Sequence, residues 1–393
     1  MTLLELNTFK KAKRFFRMLD MLRKVSITFE KPQEADIVIF ERTNEDYIIP
    51  LCKDKKYFIA DVPPRSINLK LPMLFGLLYS LIKKESLLAS YYKYLFSVIK
   101  PKVVITFIDN SNRFYDIARL DHENRRYLAI QNGSRYDVLE LNQEDSSRIF
   151  LPEFACLGNY EVDMYKEKKA DVFKFYPLGS LREAYYRRYR TNKNDETIIF
   201  EFDLCVVAEA SPDWDKLYPG VEDAIGKIAQ YASRLASEDG LKMVIAGKRD
   251  VSNTNTRAYI HTIDSETNWY QKYLGVDCII QPRVRNEFTT YETISKSRLS
   301  LALVSTALRE GMSRGSRVLY CNFSDNSLWN FHSEGLISLN IDDYKLFKER
   351  VLNILSLSDT EYLNQTKEIS SYSINNQKNS DAITELENLI HCE

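Results

Sequence analysis

The stretch Leu299–Phe323 constrains the fold of this 393-residue chain more than any other part of the sequence. It begins with Leu299–Val304, an unbroken apolar run of the kind that forms a strand buried on both faces of a parallel sheet. Ser305 and Thr306 follow directly and predict the N-cap of a helix, because their hydroxyl groups can accept hydrogen bonds from free backbone N–H groups. The pattern predicts that this helix covers Ala307–Arg314.

A glycine and a second apolar strand complete this unit. Gly315 is typical of a helix C-terminus, and Arg317–Cys321 is the next apolar run. Strand, helix and strand in this order predict a βαβ unit, whose helix N-terminus presents N–H groups that can bind a phosphate. Glu310 lies one turn into the helix, within reach of a sugar ring attached to that phosphate. The same pattern also fits an ordinary buried βαβ unit with a solvated glutamate.

The first half of the chain repeats this alternation of strands and helices. Helical patterns at Leu74–Lys100 and Arg113–His122 separate some of its apolar runs. Such alternation predicts a doubly wound α/β domain with a ligand crevice at the carboxyl ends of its strands. The predicted strands are Ala35–Phe40, Tyr57–Ala60, Lys102–Phe107, Arg125–Gln131, Phe154–Leu157 and Lys174–Tyr176.

Residues 189–196 are polar and lack an apolar period, so they predict a linker, and beyond them the pattern restarts. We therefore predict two Rossmann-like, doubly wound α/β domains that face a cleft, residues 1–188 and residues 197–357. Residues 358–393 are predicted to be a helical segment that crosses back to the first domain. Besides the two strands of the opening stretch, the second domain is predicted to contain the strands Phe202–Ala208, Leu241–Ala246 and Cys278–Gln281.

Composition argues against several classes of site. The formal net charge is -1, so nothing overall favours binding to nucleic acid. The six cysteines form no C-x-x-C pair and the four histidines are scattered, so we expect free thiols, no metal and no cofactor. No signal peptide and no membrane-spanning run is evident, which predicts a cytoplasmic protein. Residues 2–24 form a basic amphipathic pattern, which leaves open contact with the inner face of the membrane or packing on its own domain.

Polar side chains follow two strands of the first domain at the points where those strands end. Because the carboxyl ends of parallel strands share one edge of a sheet, these side chains should face the cleft, where they could hold the hydroxyl groups of a sugar acceptor. Asn132-Gly133 also fits a simple turn. The predicted acceptor-side residues are Asp109, Asn110, Gln131, Asn132, Arg135 and Asp137.

Charged residues follow two strands of the second domain. Glu209 and Asp213 come after a buried strand and are candidates for the catalytic carboxylate that transfer of a sugar needs as nucleophile or base. Lys248 and Arg249 can pair with a phosphate or with a sugar carboxylate. The alternative interpretation of all four is a set of capping acids and solvated loop charges. The predicted nucleotide-donor site comprises Lys248, Arg249, Ser305, Thr306 and Glu310.

Two motifs resemble those of a known family. Ser305-Thr306 with Glu310, Gly311 and Gly315 resembles the S/T-x(3–4)-E-[AG]-x(2–3)-G signature of GT-B glycosyltransferases. The resemblance implies that the chain has the GT-B architecture and transfers a sugar without a metal. Asp213-Trp214-Asp215 has the D-x-D spacing but lies within the loop after Phe202–Ala208 and not directly at the strand end, so we still expect no metal.

The second motif is similar to bacterial surface-carbohydrate biosynthesis proteins, including retaining β-Kdo transferase modules. It comprises Ile130-Gln131-Asn132-Gly133 with Arg135 and Asp137. In that family the donor is CMP-Kdo, cytidine binds the C-terminal domain, and an aspartate is the covalent nucleophile. The comparable loop here offers Glu209, Asp213 and Asp215, and the residue that aligns is not fixed. A glutamate at that position would depart from the family's pattern.

These observations favour a glycosyltransferase that moves a sugar from a nucleotide-sugar donor onto a glycan or lipid-linked glycan of a capsule or lipopolysaccharide. Nucleotide-sugar 2-epimerases and polyol-phosphate transferases of teichoic acid synthesis share this architecture and remain alternatives. Both usually rely on histidines in the cleft, and no histidine of this chain follows an evident predicted strand. A non-catalytic member that keeps the fold as a scaffold is a further alternative.

Overall fold

The computed structural model describes residues 26–62, 64, 66–68, 86–135, 149–193, 199–209, 218–250, 262–274, 279–284, 287–375 and 381–392. The described strands are β1 (Ser26–Thr28), β2 (Ile37–Phe40), β3 (Tyr57–Ala60), β4 (Ser66–Asn68), β5 (Val103–Thr106), β6 (Arg126–Ile130), β7 (Phe150–Cys156), β8 (Asp171–Pro177), β9 (Phe202–Val207), β10 (Met243–Asp250), β11 (Ile280–Arg283), β12 (Ser297–Ala302), β13 (Val318–Cys321) and β14 (Ser338–Leu339). The described helices are α1 (Glu45–Ile48), α2 (Leu87–Ile99), α3 (Asn112–Asp121), α4 (Asn159–Glu167), α5 (Leu181–Asn192), α6 (Val221–Asp239), α7 (Ile263–Leu274), α8 (Thr289–Ser295), α9 (Thr306–Ser313), α10 (Tyr344–Ser356), α11 (Asp359–Ser373) and α12 (Ala382–His391).

The first sheet has six parallel strands in the order β3-β2-β5-β6-β7-β8. Its central strands are buried on both faces. In β2, for example, Ile37 and Ile39 belong to one apolar core, and Val38 and Phe40 belong to the core on the opposite face. Side chains alternate between the faces of a strand, so an unbroken apolar run was the correct sign of a strand covered on both sides.

The second sheet also has six parallel strands, in the order β11-β10-β9-β12-β13-β14. In chain order this is the 3-2-1-4-5-6 arrangement of dinucleotide-binding folds, in which the strand order reverses between β9 and β12. A crevice opens at such a reversal because the helices on its two sides lie on opposite faces of the sheet. The prediction of two doubly wound domains is confirmed. We call residues 26–193 the first half and residues 199–357 the second half.

The C-terminal helices return to the first half, as predicted. Tyr362 of α11 is packed in the core of the second half, whereas the buried face of α12 is packed in a core of the first half. Between them, the backbone N–H of Asn375 donates to Leu157 O at 2.7 Å. The approach is close: Gly179 has φ +90°, and a Cβ placed on it would lie 2.4 Å from Asn375 O. Position 179 therefore requires a glycine, both because of its positive φ and because a side chain would collide with Asn375.

Some expected features differ or lie outside the described residues. The strand expected at Leu299–Val304 is β12, which ends at Ala302, for a reason given below. Helix α5 continues to Asn192, into the segment predicted as the linker, so the domain bounds stay predictions. The basic segment 2–24, Asp137 and Asp213 lie outside the described residues. In the part of the chain that is described, no helix combines the length and apolar character needed to cross a bilayer.

Candidate active site between the two halves

A cavity of about 430 Å³ lies between the two halves, at the carboxyl ends of strands from both sheets. The second half contributes the ends of β9, β10 and β11 and the start of α9. The first half contributes the loop that follows β6 and the start of α5. The cavity therefore includes the point where the strand order of the second sheet reverses, which is where open α/β sheets bind their ligands.

Glu209 holds the turn that leads into α9. Its two carboxylate oxygens accept hydrogen bonds from the backbone N–H groups of Leu303 and Val304, at 2.7 Å and 2.8 Å. These donations replace strand pairing and explain why β12 stops at Ala302. Burial raises the pKa of Glu209 from 4.5 to about 7, although the two backbone N–H groups and the charge of Lys248 act to lower it. Glu209 lines the cavity, as predicted for a residue at this strand end, but its oxygens are engaged by the backbone.

The start of α9 faces the cavity, but its hydroxyl groups do not cap the helix as expected. Ser305 is the N-cap residue, and its side chain makes no capping hydrogen bond. Thr306 Oγ1 instead accepts a hydrogen bond from the backbone N–H of Ser134, at 2.7 Å, and so joins the two halves. The first N–H groups of a helix have no partner within the helix, and the residues that carry them here, Thr306 and Ala307, both line the cavity. The backbone, rather than the hydroxyls, makes this end suited to an anion.

Basic side chains line the second-half wall. Lys248 is close to Glu209, since its Nζ lies 3.5 Å from the backbone oxygen of that residue. Burial, and then the nearby charge of Arg249, lower the pKa of Lys248. Arg249 itself does not line the cavity, and its backbone N–H donates to the carboxylate of Glu266 at 3.2 Å. Arg283, at the end of β11, does line it, and sequence reasoning missed this residue.

Glu310 reaches the cavity from within α9 and is 2% exposed. One of its carboxylate oxygens accepts a hydrogen bond from the hydroxyl of Ser180 in the first half. The other accepts from the hydroxyl of Tyr291 at 2.8 Å. The predicted contact with a sugar ring would therefore compete with two existing hydrogen bonds, one of which links the halves.

The acceptor-side residues divide into two groups. Asn110 and Arg135 line the cavity. Asp109 is fully buried beneath them, where it forms an ion pair with Arg135 and accepts from the backbone N–H of Asn132 at 3.0 Å. A carboxylate that is already paired and enclosed supports the wall and does not present oxygens to a ligand.

Gln131 belongs to the same inner support. Its Oε1 accepts from the backbone N–H of Leu157 at 2.8 Å, and its Nε2 donates to Gly133 O at 2.8 Å and to Glu161 at 3.1 Å. The structure thus places Gln131 and Asp109 in the interior of the first half, while the loop they support forms part of the cavity wall. Asn132 also acts through this loop, because its backbone oxygen accepts a hydrogen bond from Arg182.

Buried ion pairs hold α9 against the first half. Arg309 donates to Glu161 at 2.6 Å and 3.2 Å, and the side chains of this pair are 1% and 0% exposed. One turn further along, Arg314 pairs with Glu183. The helix that opens onto the cavity is thereby fixed relative to both halves.

The described residues also limit which side chains can react here. Among them, no histidine lines the cavity, and no group of three or more His, Cys, Asp or Glu side chains could hold a metal ion. His332 lies in a separate cavity of about 380 Å³. There its Nε2 is 2.6 Å from Ser373 Oγ, and burial lowers its pKa to about 2.

Comparison with known proteins gives similarity of structure without similarity of sequence. Neither a family model nor a curated protein sequence matches this chain. The solved structure of the wall teichoic acid polymerase TagF is 11% identical, covers 98% of this chain and 97% of its own, and gives a TM-score of 0.54. A protein of Listeria monocytogenes, described as a UDP-N-acetylglucosamine 2-epimerase, is 8% identical, covers 91% of this chain and 95% of its own, and gives a TM-score of 0.50. At such identities the likeness concerns the fold, and the chain has the GT-B architecture of two doubly wound halves that face a cleft.

Proposed function

We propose that this protein is a metal-independent glycosyltransferase whose nucleotide-sugar donor binds in the cavity between the two halves. One observation carries the proposal. The start of α9, Lys248 and Arg283 line the same wall of a cavity at the strand-order reversal of the second sheet. A helix N-terminus and two cationic side chains suit the phosphate of a nucleotide, which becomes the leaving group when the sugar is transferred.

The same wall supplies what departure of that phosphate requires. Negative charge grows on the phosphate oxygens as the bond to the sugar breaks, and fixed donors that already point at this position lower the barrier. Because Glu209 is engaged by two backbone N–H groups, we assign it the task of holding the β12–α9 turn in place. Asp213 stays our candidate for the carboxylate that acts as nucleophile or base.

CMP-Kdo is the first donor to test, because of the resemblance to β-Kdo transferase modules, and the acceptor we propose is a surface polysaccharide or lipopolysaccharide. The fold is shared with a wall teichoic acid polymerase and with a protein described as a UDP-N-acetylglucosamine 2-epimerase, so both alternatives keep a place in the test. We rank them lower because, in the described part of the chain, no histidine lines the cavity.

The experiment is a thermal-shift series with CMP, CDP, UDP and GDP, followed by a transfer assay with the matching sugar donor. A ligand at about 100 times its dissociation constant stabilises the folded protein by about 2.7 kcal/mol. Stabilisation by CMP alone would support CMP-Kdo, and stabilisation by UDP alone would reject it. Lys248→Met should cut this stabilisation to about 1.4 kcal/mol or less, whereas Lys242→Met, at an exposed position just before β10, should keep it. If none of the four nucleotides stabilises the wild-type protein, the proposed donor site is wrong.

A further inference from the structure

Arg182 is the second residue of α5 and lines the cavity from the first half. Its Nη1 donates to the backbone oxygen of Asn132 at 2.5 Å, and its guanidinium lies 5.1 Å from the ring centroid of Phe107. These contacts hold the cation in one place at the edge of the cavity. Tyr291 of the second half lines the same cavity as Arg182. Burial raises the pKa of that phenol, and the charge of Arg182 acts against this shift.

Arg182 differs in its ion pairing from Arg135, the other arginine that the first half places on the cavity. Arg135 pairs with Asp109, whereas Arg309 of α9 and Arg314, directly after that helix, pair with glutamates of the first half. Among the described residues, Arg182 has no ion-pair partner, and its Nε is enclosed without a hydrogen-bond acceptor. A buried hydrogen-bond donor without a partner lowers the stability of the folded protein by about 1–3 kcal/mol. A native structure that retains such a donor therefore calls for an explanation, and binding of a ligand is one.

Ser134, also on the first-half side of the cavity, is a second residue whose side chain has a polar atom without a hydrogen-bond partner in the described part of the chain. It is 9% exposed and lines the cavity, and within the described ranges its Oγ has no hydrogen-bond partner. Its backbone is fixed by the hydrogen bond to Thr306 of α9. The first half therefore presents a fixed guanidinium and a buried hydroxyl to the cavity that Lys248 and Arg283 of the second half also line.

We propose that Arg182 and Ser134 form a second anion subsite, which binds a carboxylate or phosphate group on the substrate held by the first half. The inference rests on the proposed function, because it divides one cavity between a donor phosphate on Lys248 and Arg283 and a second anion on Arg182. It adds that the substrate facing the first half is anionic. A planar guanidinium with free N–H groups suits an oxyanion, and the hydroxyl of Ser134 can donate to the same group.

The test measures binding of two kinds of probe to the whole protein by isothermal titration calorimetry. One kind is the nucleotide selected by thermal shift. The other is glucuronate, which carries a carboxylate, or glycerol 3-phosphate, which carries a phosphate, each added to the protein alone and to protein saturated with that nucleotide. Methyl glucoside and glycerol are the matched neutral probes. The better-bound anion identifies whether a carboxylate or a phosphate is the natural group.

Arg182→Gln should weaken binding of the anionic probe by roughly tenfold or more, the expected loss for a charge-assisted contact. Nucleotide affinity should stay within about twofold, because the donor contacts are assigned to Lys248, Arg283 and the start of α9 and not to Arg182. Lys193→Gln, which removes the same charge just beyond α5, is the control and should change neither. Because Arg182→Gln also loses the contact with Asn132, Ser134→Ala and Arg182→Lys serve as milder variants, and each should weaken the anionic probe selectively.

The outcomes separate this inference from the proposed function. If nucleotide binds and neither anionic probe binds better than its neutral partner, the subsite does not exist although the donor site stands. If Arg182→Gln weakens nucleotide and anionic probe equally, Arg182 belongs to the donor site and the inference is overturned. If an anionic probe binds in an Arg182-dependent way but no nucleotide binds, the subsite stands and the glycosyltransferase proposal fails.

Discussion

Replacing Glu209 by glutamine should change how the stability of this protein depends on pH. Burial raises the pKa of the Glu209 carboxyl group from 4.5 to about 7, so the folded state binds this proton more tightly than the unfolded chain does. The resulting stabilisation is fully present below about pH 4.5 and is lost as the pH rises through about 7. Between about pH 5 and about pH 8, this group alone should reduce the free energy of unfolding by about 2.5 kcal/mol.

Glu209→Gln removes that titration and also places an amide NH2 against a backbone N–H of the β12–α9 turn. We expect a constant loss of about 1–3 kcal/mol for the missing acceptor. In addition, the advantage of the wild type over the variant should shrink by about 2.5 kcal/mol between about pH 5 and about pH 8. Taking this difference cancels the titration of other buried carboxyl groups, such as those of Glu41 and Glu183, because both proteins contain them.

Urea unfolding followed by tryptophan fluorescence is the assay. All three tryptophans lie beyond residue 199, so the signal reports on the half that contains Glu209. Glu349→Gln, which removes one negative charge at an exposed position on α10, controls for the change in net charge. A stability difference between wild type and Glu209→Gln that is the same at both pH values would refute the raised pKa and, with it, the enclosed position of this carboxylate.

Three further substitutions test other parts of the structure. Arg309→Met should destabilise the protein by about 3–5 kcal/mol, because it leaves the buried charge of Glu161 unpaired, and adding Glu161→Gln should restore part of the loss in urea unfolding. Gly179→Ala should cost more than about 1 kcal/mol, since it combines strain at φ +90° with a clash against Asn375; full stability in a thermal melt would contradict the docking of the C-terminal segment. Lys248→Met should weaken nucleotide binding by roughly 10- to 100-fold in calorimetry, and an unchanged affinity would remove this residue from the donor site.

The architecture could be predicted because a strand that is buried on both faces can be recognised from its own residues. The runs that became β2, β5 and β6 are apolar without interruption, and each is buried on both faces between helices. The bounds of a strand were predicted less well where its residues are not typical of a strand, although the folded structure places them in one. Strand β7 begins at Phe150, four residues before the predicted start, and it contains Pro152 and Glu153, residue types that are uncommon inside strands.

The candidate site was predicted only in part, because its roles depend on contacts between residues far apart in the chain. Glu209 was identified from its place after a strand, but its partners are the backbone N–H groups of residues 303 and 304. Arg309 and Arg314 have the sequence pattern of surface charges on a short helix, yet both are enclosed by glutamates of the first half.

Arg182 was overlooked for the related reason that it stands in a run of arginines and tyrosines. Nothing local separates it from its neighbours, since Arg187 and Arg188 belong to the same helix and are themselves paired with acids. Only the position of α5 against the cavity distinguishes them. The position of Ser180 as the N-cap of α5, after Pro177-Leu178-Gly179, was the available signal that this helix begins at a strand's carboxyl end.

The most direct test of the central claim is a crystal structure of the protein with the nucleotide selected by thermal shift. We predict that its phosphate lies against the backbone N–H groups of Thr306 and Ala307, within hydrogen-bond distance of Lys248 or Arg283. A nucleotide bound elsewhere, or with its phosphate turned away from the start of α9, would contradict the account.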